Sequence, residues 1–120
     1  MTHTFLLKEG LWKAKGTYYD DKNNHIPVEG ETKIIHSSPK WINEGFMRIL
    51  TENPIEFKNQ YEIQPFNDKA DFTTWESFNP GLGKLFGKFM IVADTIISTY
   101  ISEKGDYSGI ECMLQTGETT

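Results

Sequence analysis

Six side chains of this sequence carry groups that can hold a small molecule or act on it. Imidazole gains and loses its proton near neutral pH, and phenol hydroxyls both donate and accept hydrogen bonds. A carboxyl group in apolar surroundings keeps its proton to higher pH, and an indole offers a large apolar face with a single donor. The six candidate ligand-binding residues are Trp12, Tyr18, His36, Tyr61, Glu76 and Tyr100. They form one site only if the fold turns them towards a common interior.

Tyr18, Tyr61 and Tyr100 are suited to lining a cavity, because the residues of the same parity around them are mostly apolar. Residues of one parity share one face of a β-strand, so these hydroxyls would point into an apolar interior and orient a ligand there. Three core tyrosines, bonded to one another or to water, fit the sequence equally well. Trp12 has the parity of Tyr18 and would close the floor of the same interior. An ordinary core tryptophan, with a packing role alone, fits the sequence as well.

His36 would face inward near the end of the second predicted strand. A buried imidazole suits acid–base chemistry or haem ligation. His3 and His25 fall in the N-terminal segment and in the first turn, so no second strong ligand accompanies His36. The sequence therefore predicts neither a metal site nor a cofactor, and it favours a hydrogen-bonded structural histidine.

Glu76 has the same strand parity as Phe72, Thr74 and Phe78. That face would bury the carboxyl group or bring it to the mouth of the interior, where it could act as a general acid or base. The opposite parity of this strand is hardly less polar, so the sequence does not decide which of the two sets of alternate residues faces the interior.

Two further reactive side chains are given structural roles. Arg48 could clamp a carboxylate, but an outer-face pair with Glu44 is favoured because the other parity of that strand is better suited to the interior. Cys112, the single cysteine, falls between Ile110 and Leu114 on the apolar parity of the last predicted strand, which predicts inert filler rather than a nucleophile.

Turn-forming residues divide the chain into eight candidate β-strands. Prolines recur at short intervals, and each proline lies in or beside a cluster of turn residues. The candidates cover residues 11–19, 28–36, 41–50, 55–63, 71–78, 85–93, 95–102 and 108–115. An amphipathic helix over residues 82–101 competes, because the apolar residues there also fit a 3.6-residue period. Gly87 and the β-branched residues that follow it favour strands.

Composition limits the classes of function. The 120 residues fit one domain, residues 1–120, and 38% hydrophobic with 13% aromatic residues are enough for one core. The formal charge of -5 disfavours binding to nucleic acid or to an anionic membrane surface. The start of the chain lacks the apolar run of a signal peptide or membrane span, and one cysteine suits a reducing compartment. We therefore expect a cytoplasmic location and no membrane span.

Two stretches carry a resemblance to a known superfamily. Gly10-Leu11-Trp12, at the start of the first strand, is similar to the Gly-x-Trp signature of the lipocalins and the wider calycin superfamily. Residues 87–100, GKFMIVADTIISTY, with the hairpin 105–111, GDYSGIE, resemble the late meander of fatty-acid-binding, nitrobindin-like and bacterial lipocalin-like proteins. The resemblance implies a barrel that carries or senses a small hydrophobic molecule through inward-facing residues.

Eight consecutive short strands can avoid exposed edges by closing on themselves, and such a barrel has room for side chains or one small ligand. The prediction is an all-β, antiparallel up-and-down meander that closes into a lipocalin-like barrel of about eight strands and binds a small hydrophobic or amphipathic molecule without catalysis. One alternative is a small barrel enzyme, of isomerase, cyclase or decarboxylase type, that uses Tyr18, Tyr61, His36 or Glu76. The other is an interaction domain with a filled core, which could form a homodimer through an unpaired sheet edge.

Overall fold

Eight antiparallel β-strands, joined in chain order, form one curled sheet in the computed structural model, which describes residues 3–67, 70–79 and 83–120, without the side chain of Asn79. The strands are β1 Gly10–Tyr19, β2 His25–Ile35, β3 Trp41–Ile49, β4 Ile55–Ile63, β5 Phe72–Asn79, β6 Gly83–Val92, β7 Thr95–Ser102 and β8 Ser108–Leu114. The predicted all-β antiparallel meander of eight strands is confirmed. None of the described residues belongs to a helix long and apolar enough to cross a membrane.

Residues 83–101, for which a helix competed, form β6 and β7; Leu82, where that helix would begin, lies outside the described residues. Val92 pairs with Thr95 across a two-residue turn. Ala93 opens this turn with a φ of 55°, which a continuous right-handed helix does not contain. The β-branched residues on both sides of the turn pack well on a pleated surface and lose rotamer freedom in a helix, which explains the outcome.

Side chains alternate between a concave and a convex face of the sheet. Cross-strand neighbours keep the inward positions side by side: Ile63 is opposite Trp75, Trp75 is opposite Gly87, and Gly87 is opposite Tyr100. The core lies on the concave face and consists of Leu6, Trp12, Ile34, Ile63, Trp75, Leu85, Phe89, Ile91 and Ile96.

One end of the concave face is closed by the N-terminal segment, residues 3–9. Leu6 of this segment is fully buried, and the ring of Phe5 meets Trp12 edge-on with 5.3 Å between the ring centroids. The Trp12 indole N–H donates to the backbone oxygen of Lys8 at 3.0 Å. Trp12 therefore lies at the floor of the interior, and we call this the closed end.

The opposite end of the concave face is open along β1 to β4, whereas Ser77, Leu85 and Ser102 at the same end of β5 to β7 are buried. Tyr18 and Ile55 face inward there and keep 43% and 49% of their surfaces exposed. Ala14 and Gly16, on the inward face of β1, are also exposed. No described segment covers this open end as residues 3–9 cover the closed end.

The two edge strands, β1 and β8, are not paired with each other, so the sheet is a half-barrel. The C-terminal residues 115–120 bridge the gap at the closed end instead. The Lys13 backbone N–H donates to the Thr119 oxygen at 2.9 Å, and Lys8 forms an ion pair with Glu118 at 2.7 Å. At the closed end, the two edges of the half-barrel are therefore connected by residues 115–120 and not by hydrogen bonds between β1 and β8.

Charged side chains cover the convex face of β1 to β4. Arg48 lies on this face, as predicted, and donates to Glu29 at 2.8 Å and Glu56 at 2.9 Å. The expected partner, Glu44, is not among its contacts. Cross-strand neighbours lie about 5 Å apart, whereas residues four apart on one strand are separated by more than about 13 Å.

Candidate functional site

The middle of the concave face forms a trough that opens towards the open end. We call it the interior trough and define it by Tyr18 of β1, Tyr61 of β4, Tyr100 of β7 and Glu111 of β8. Antiparallel pairing fixes their direction: Tyr61 lies beside Asn43 and Ser77, Tyr100 beside Gly87 and Gly109, and Glu111 beside Ser98. Among the described strand residues, these four are the only titratable side chains on the inward face.

Glycines make room for the aromatic rings of the trough. The Trp75 ring lies directly against Gly87, and any side chain at Gly87 would collide with it. The Tyr100 ring lies over Gly109 in the same way, with its Cζ 2.6 Å from where a Cβ would stand. Tyr61 stacks on Trp75 with 4.5 Å between centroids and 7° between ring planes. The rings therefore lie along the sheet and form an aromatic floor.

The polar groups of the trough influence one another's protonation. Burial raises the pKa of Tyr61 well above its ordinary value, and Glu111 and Tyr100 raise it further. Burial also raises the pKa of Tyr100, with smaller contributions from Glu111 and Tyr18. Tyr61 and Tyr100 thus lie within reach of the charge of Glu111, Tyr18 lies near Tyr100, and the phenols of Tyr61 and Tyr100 are neutral donors near pH 7.

Glu111 is the charged group of the trough. Desolvation by the surrounding sheet raises the pKa of its carboxyl group above the ordinary 4.5, and no described residue offers it a hydrogen bond or an opposite charge. Its side chain is nevertheless exposed to solvent on the edge strand β8. The carboxylate is therefore partly shielded by the sheet and still in contact with water.

A second polar group at the trough also lacks a partner. The indole Nε1 of Trp75 is buried and has no acceptor among the described residues. Trp75 forms part of the aromatic floor and is only 3% exposed. Buried donors are normally satisfied, so this indole N–H marks a place for an ordered water or another acceptor.

The structure brings together three of the six residues predicted to bind a ligand: Tyr18, Tyr61 and Tyr100. Trp12 lies below them at the closed end, and its only donor is already bonded to Lys8. It supports the floor of the trough without offering a free polar group.

His36 lies at the closed end, in contact with the N-terminal segment. Its ring stacks on Trp41 with 3.8 Å between centroids, and its Nε2 is 2.7 Å from the backbone oxygen of Leu6. These contacts agree with the structural role favoured by the sequence. They leave His36 away from the interior trough.

Glu76 points to the convex face, and the expectation that it is buried or lies at the mouth of the interior is wrong. It stands opposite Glu62 and Phe86 and forms a long ion pair of 3.9 Å with Lys84. The buried parity of β5 contains Trp75 instead. Both parities of this strand are otherwise similarly polar, so burial of the large apolar indole decides which of them faces the interior.

The sequence analysis misses Glu111, because it predicts Ile110, Cys112 and Leu114 as the buried parity of β8. That interpretation is wrong: Ile110 is 67% exposed, Leu114 is 58% exposed and Cys112 is exposed. The length of the β7–β8 hairpin loop indicates which residues of β8 face inward. A four-residue loop over residues 103–106 sets Tyr100 opposite Gly109, and therefore Glu111 inward, whatever the hydropathy of β8 suggests.

A groove of about 790 Å³ lies mainly against the convex face of β5 to β8, and its lining also includes Trp75 and Tyr100. Phe86, Ile101 and Ile110 supply its apolar walls, and Glu76 and Lys88 border it. It is shallow and broadly open to solvent, and it includes neither Tyr61 nor Glu111. We therefore place the candidate site in the interior trough.

The described residues contain no group of three or more histidine, cysteine, aspartate or glutamate side chains placed to hold a metal ion. Comparison with protein-family models, with curated proteins and with solved structures found no match for this chain.

Proposed function

We propose that this protein binds a small hydrophobic or amphipathic molecule in the interior trough and acts as a non-enzymatic carrier or sensor of the calycin type, in the cytoplasm. The observation that carries the proposal is the aromatic, open-ended concave face on which Tyr61, Tyr100 and Glu111 converge. Ligand sites in proteins are concave and mostly apolar, with a few polar groups that orient the ligand. The trough combines aromatic rings and the apolar residues Val28 and Ile49 towards the open end with the polar groups of Tyr61, Tyr100 and Glu111.

A binding role is favoured over catalysis by the positions of the acid–base candidates. His36 is engaged at the closed end and Glu76 lies on the convex face. Glu111 has no hydrogen-bonded partner of the kind that activates a general base or a nucleophile. The trough is equipped to hold a molecule, and it lacks an assembled catalytic pair.

A bulky side chain at Gly16 gives a direct test. Gly16 faces the open end of the trough, and an added Cβ would meet only Val28, at 3.8 Å. A Gly16→Trp substitution therefore places an indole in the trough without disturbing the backbone. Thr17→Trp is the matched control, because Thr17 is the next residue, exposed on the convex face.

The measurement is saturable fluorescence enhancement of N-phenyl-1-naphthylamine, a neutral apolar probe. The wild type and Thr17→Trp should bind one probe per chain, and Gly16→Trp should bind at least about tenfold more weakly, since it fills the apolar space. Native mass spectrometry of freshly purified protein should show a retained small molecule. Absence of saturable binding to the wild type, or equal binding by the two tryptophan variants, would refute the proposal.

A further inference from the structure

We infer that the ligand of the interior trough carries a basic nitrogen, so that its occupant is a small amphipathic amine. This inference rests on the proposed function and adds the chemical class of the ligand. It is drawn from the charge pattern of the concave face, from the state of Glu111 and from the rings around it.

The inward face of the sheet carries one charged residue and no cation. Among the described strand residues, every lysine and the single arginine point to the convex face, as do all acidic residues except Glu111. Convex carboxylates such as Glu29 and Glu56 have Arg48 as a partner. Glu111 is thus the one charged side chain that the described strands turn inward; it is exposed to solvent, and those strands provide no counter-ion for it.

A cation bound beside an inward-facing carboxylate that has no counter-ion gains a favourable electrostatic interaction. A protonated amine would form a charge-assisted hydrogen bond with Glu111. A carboxylate ligand would meet repulsion from Glu111, and the described strands turn no lysine or arginine inward to offset it. A neutral alcohol would be tolerated but would leave the charge uncompensated.

The rings beside Glu111 favour the same ligand. Tyr100 lies over Gly109, two residues from Glu111 on β8, and Tyr61 presents a second phenol at the same site. Aromatic faces attract cations, and neutral phenol oxygens accept hydrogen bonds from an ammonium group. The apolar residues towards the open end, including Val28 and Ile49, would hold the hydrocarbon part.

Three probes with one alkyl chain separate the possibilities: octylammonium, octanol and octanoate. Each is titrated at neutral pH to displace N-phenyl-1-naphthylamine from the wild type. We expect octylammonium to bind at least about tenfold more tightly than octanol, from one charge-assisted contact with aromatic support. Octanoate should bind most weakly.

The Glu111→Gln variant tests the residue itself. It should bind octylammonium no better than octanol, while its affinity for octanol stays that of the wild type. Glu52→Gln is the matched control, because it removes the same charge from an exposed loop residue and should keep the amine preference. Thermal unfolding of both variants verifies that they are folded. In the wild type, acidification below the pKa of Glu111 should also remove the amine preference without changing octanol binding.

The outcomes distinguish this inference from the proposed function. Equal affinities for the three probes, tighter binding of octanoate, or an amine preference that survives in Glu111→Gln or at acid pH would overturn the amine assignment and leave the binding role standing. No saturable binding of any of the three probes would end both.

Discussion

Strand β4 passes through both ends of the concave face, and its two terminal isoleucines show how the ends differ. Ile63, at the closed end, is fully buried, whereas Ile55, eight residues earlier and on the same face, is 49% exposed. The side-chain type, the strand and the face are the same. What differs is the segment above them, since residues 3–9 cover one end and no described segment covers the other.

The comparison teaches that curvature of the sheet alone does not make a core. At the closed end, Leu6 and Phe5 fill the space that the curled strands enclose. In the middle of the concave face and along the open end of β1 to β4, the same alternation of inward residues leaves Glu111, Tyr18 and Ile55 exposed. An exposed concave surface that combines apolar side chains with a charge is a feature of binding sites rather than of cores.

The largest effect is expected from truncating the two isoleucines. Ile63→Ala should lower the free energy of unfolding by about 2–5 kcal/mol, because it leaves a cavity in a packed core. Ile55→Ala should lower it by less than about 1 kcal/mol, because half of that side chain already contacts water. Urea unfolding of the two variants measures both values. Equal losses would show that the ends are packed alike and would remove the basis for an open trough.

A pair of inward-facing glycines sharpens the comparison. A Cβ at Gly45 would strike the backbone of β2, with Thr32 Cα 2.6 Å away, so Gly45→Ala should cost about 1–3 kcal/mol or more through strand displacement. Gly16→Ala, at the open end, should change stability by less than about 1 kcal/mol. Urea midpoints give the comparison. A large loss at Gly16 would mean that the open end is closely packed.

Acidification is expected to lower the free energy of unfolding by a smaller amount, through His3 at the closed end. His3 is 3% exposed, its Nδ1 accepts from the Phe5 N–H at 3.1 Å, and burial lowers its pKa below 6.5 despite the nearby Asp94. The folded state binds the proton less well than the unfolded state, so stability is complete above pH 6.5 and falls as the pH drops towards the folded-state pKa. His3→Asn keeps an acceptor for Phe5 and should flatten this part of the stability profile. If the free energy of unfolding of His3→Asn falls with pH as steeply as that of the wild type, the pH dependence comes from a group other than His3.

The smallest effect separates the two faces of β8. Cys112 is exposed on the convex face, next to Glu111 in sequence but opposite to it in direction. Its thiol should react with Ellman's reagent in the folded protein within about tenfold of the rate in urea, because access is not limiting. Octanol in the trough should leave that rate unchanged. Protection of Cys112 by the ligand would place the binding surface on the wrong side of the sheet.

Much of the fold follows from local pattern, since turn residues and alternation mark all eight strands. Ile55, Phe57 and Ile63 alternate cleanly with charged residues and define the faces of β4. The faces of β5 and β8 could not be read this way. In β5 both parities are polar, and in β8 the exposed face is the more apolar one, so hydropathy selects Ile110 over Glu111. Only pairing with a neighbouring strand settles such cases.

Site residues could be predicted from the sequence only on strands in which apolar and polar residues alternate clearly. Tyr61 and Tyr100 follow from strand parity, and their convergence follows from the meander. Closure of one end by residues 3–9 could not be read from the sequence, because Leu6 belongs to a short apolar run in a segment without strand periodicity. That tertiary contact decides which end is filled.

Methyl NMR of the isoleucines tests the open trough most directly, because one spectrum reports on the closed end, the open end and the convex face. On titration with octanol, we predict saturable shifts at Ile49 and Ile55 and none at Ile63 or Ile110. Shifts confined to Ile101 and Ile110 would move the ligand to the convex groove. No shift at any isoleucine would likewise contradict an interior trough that binds a small apolar molecule.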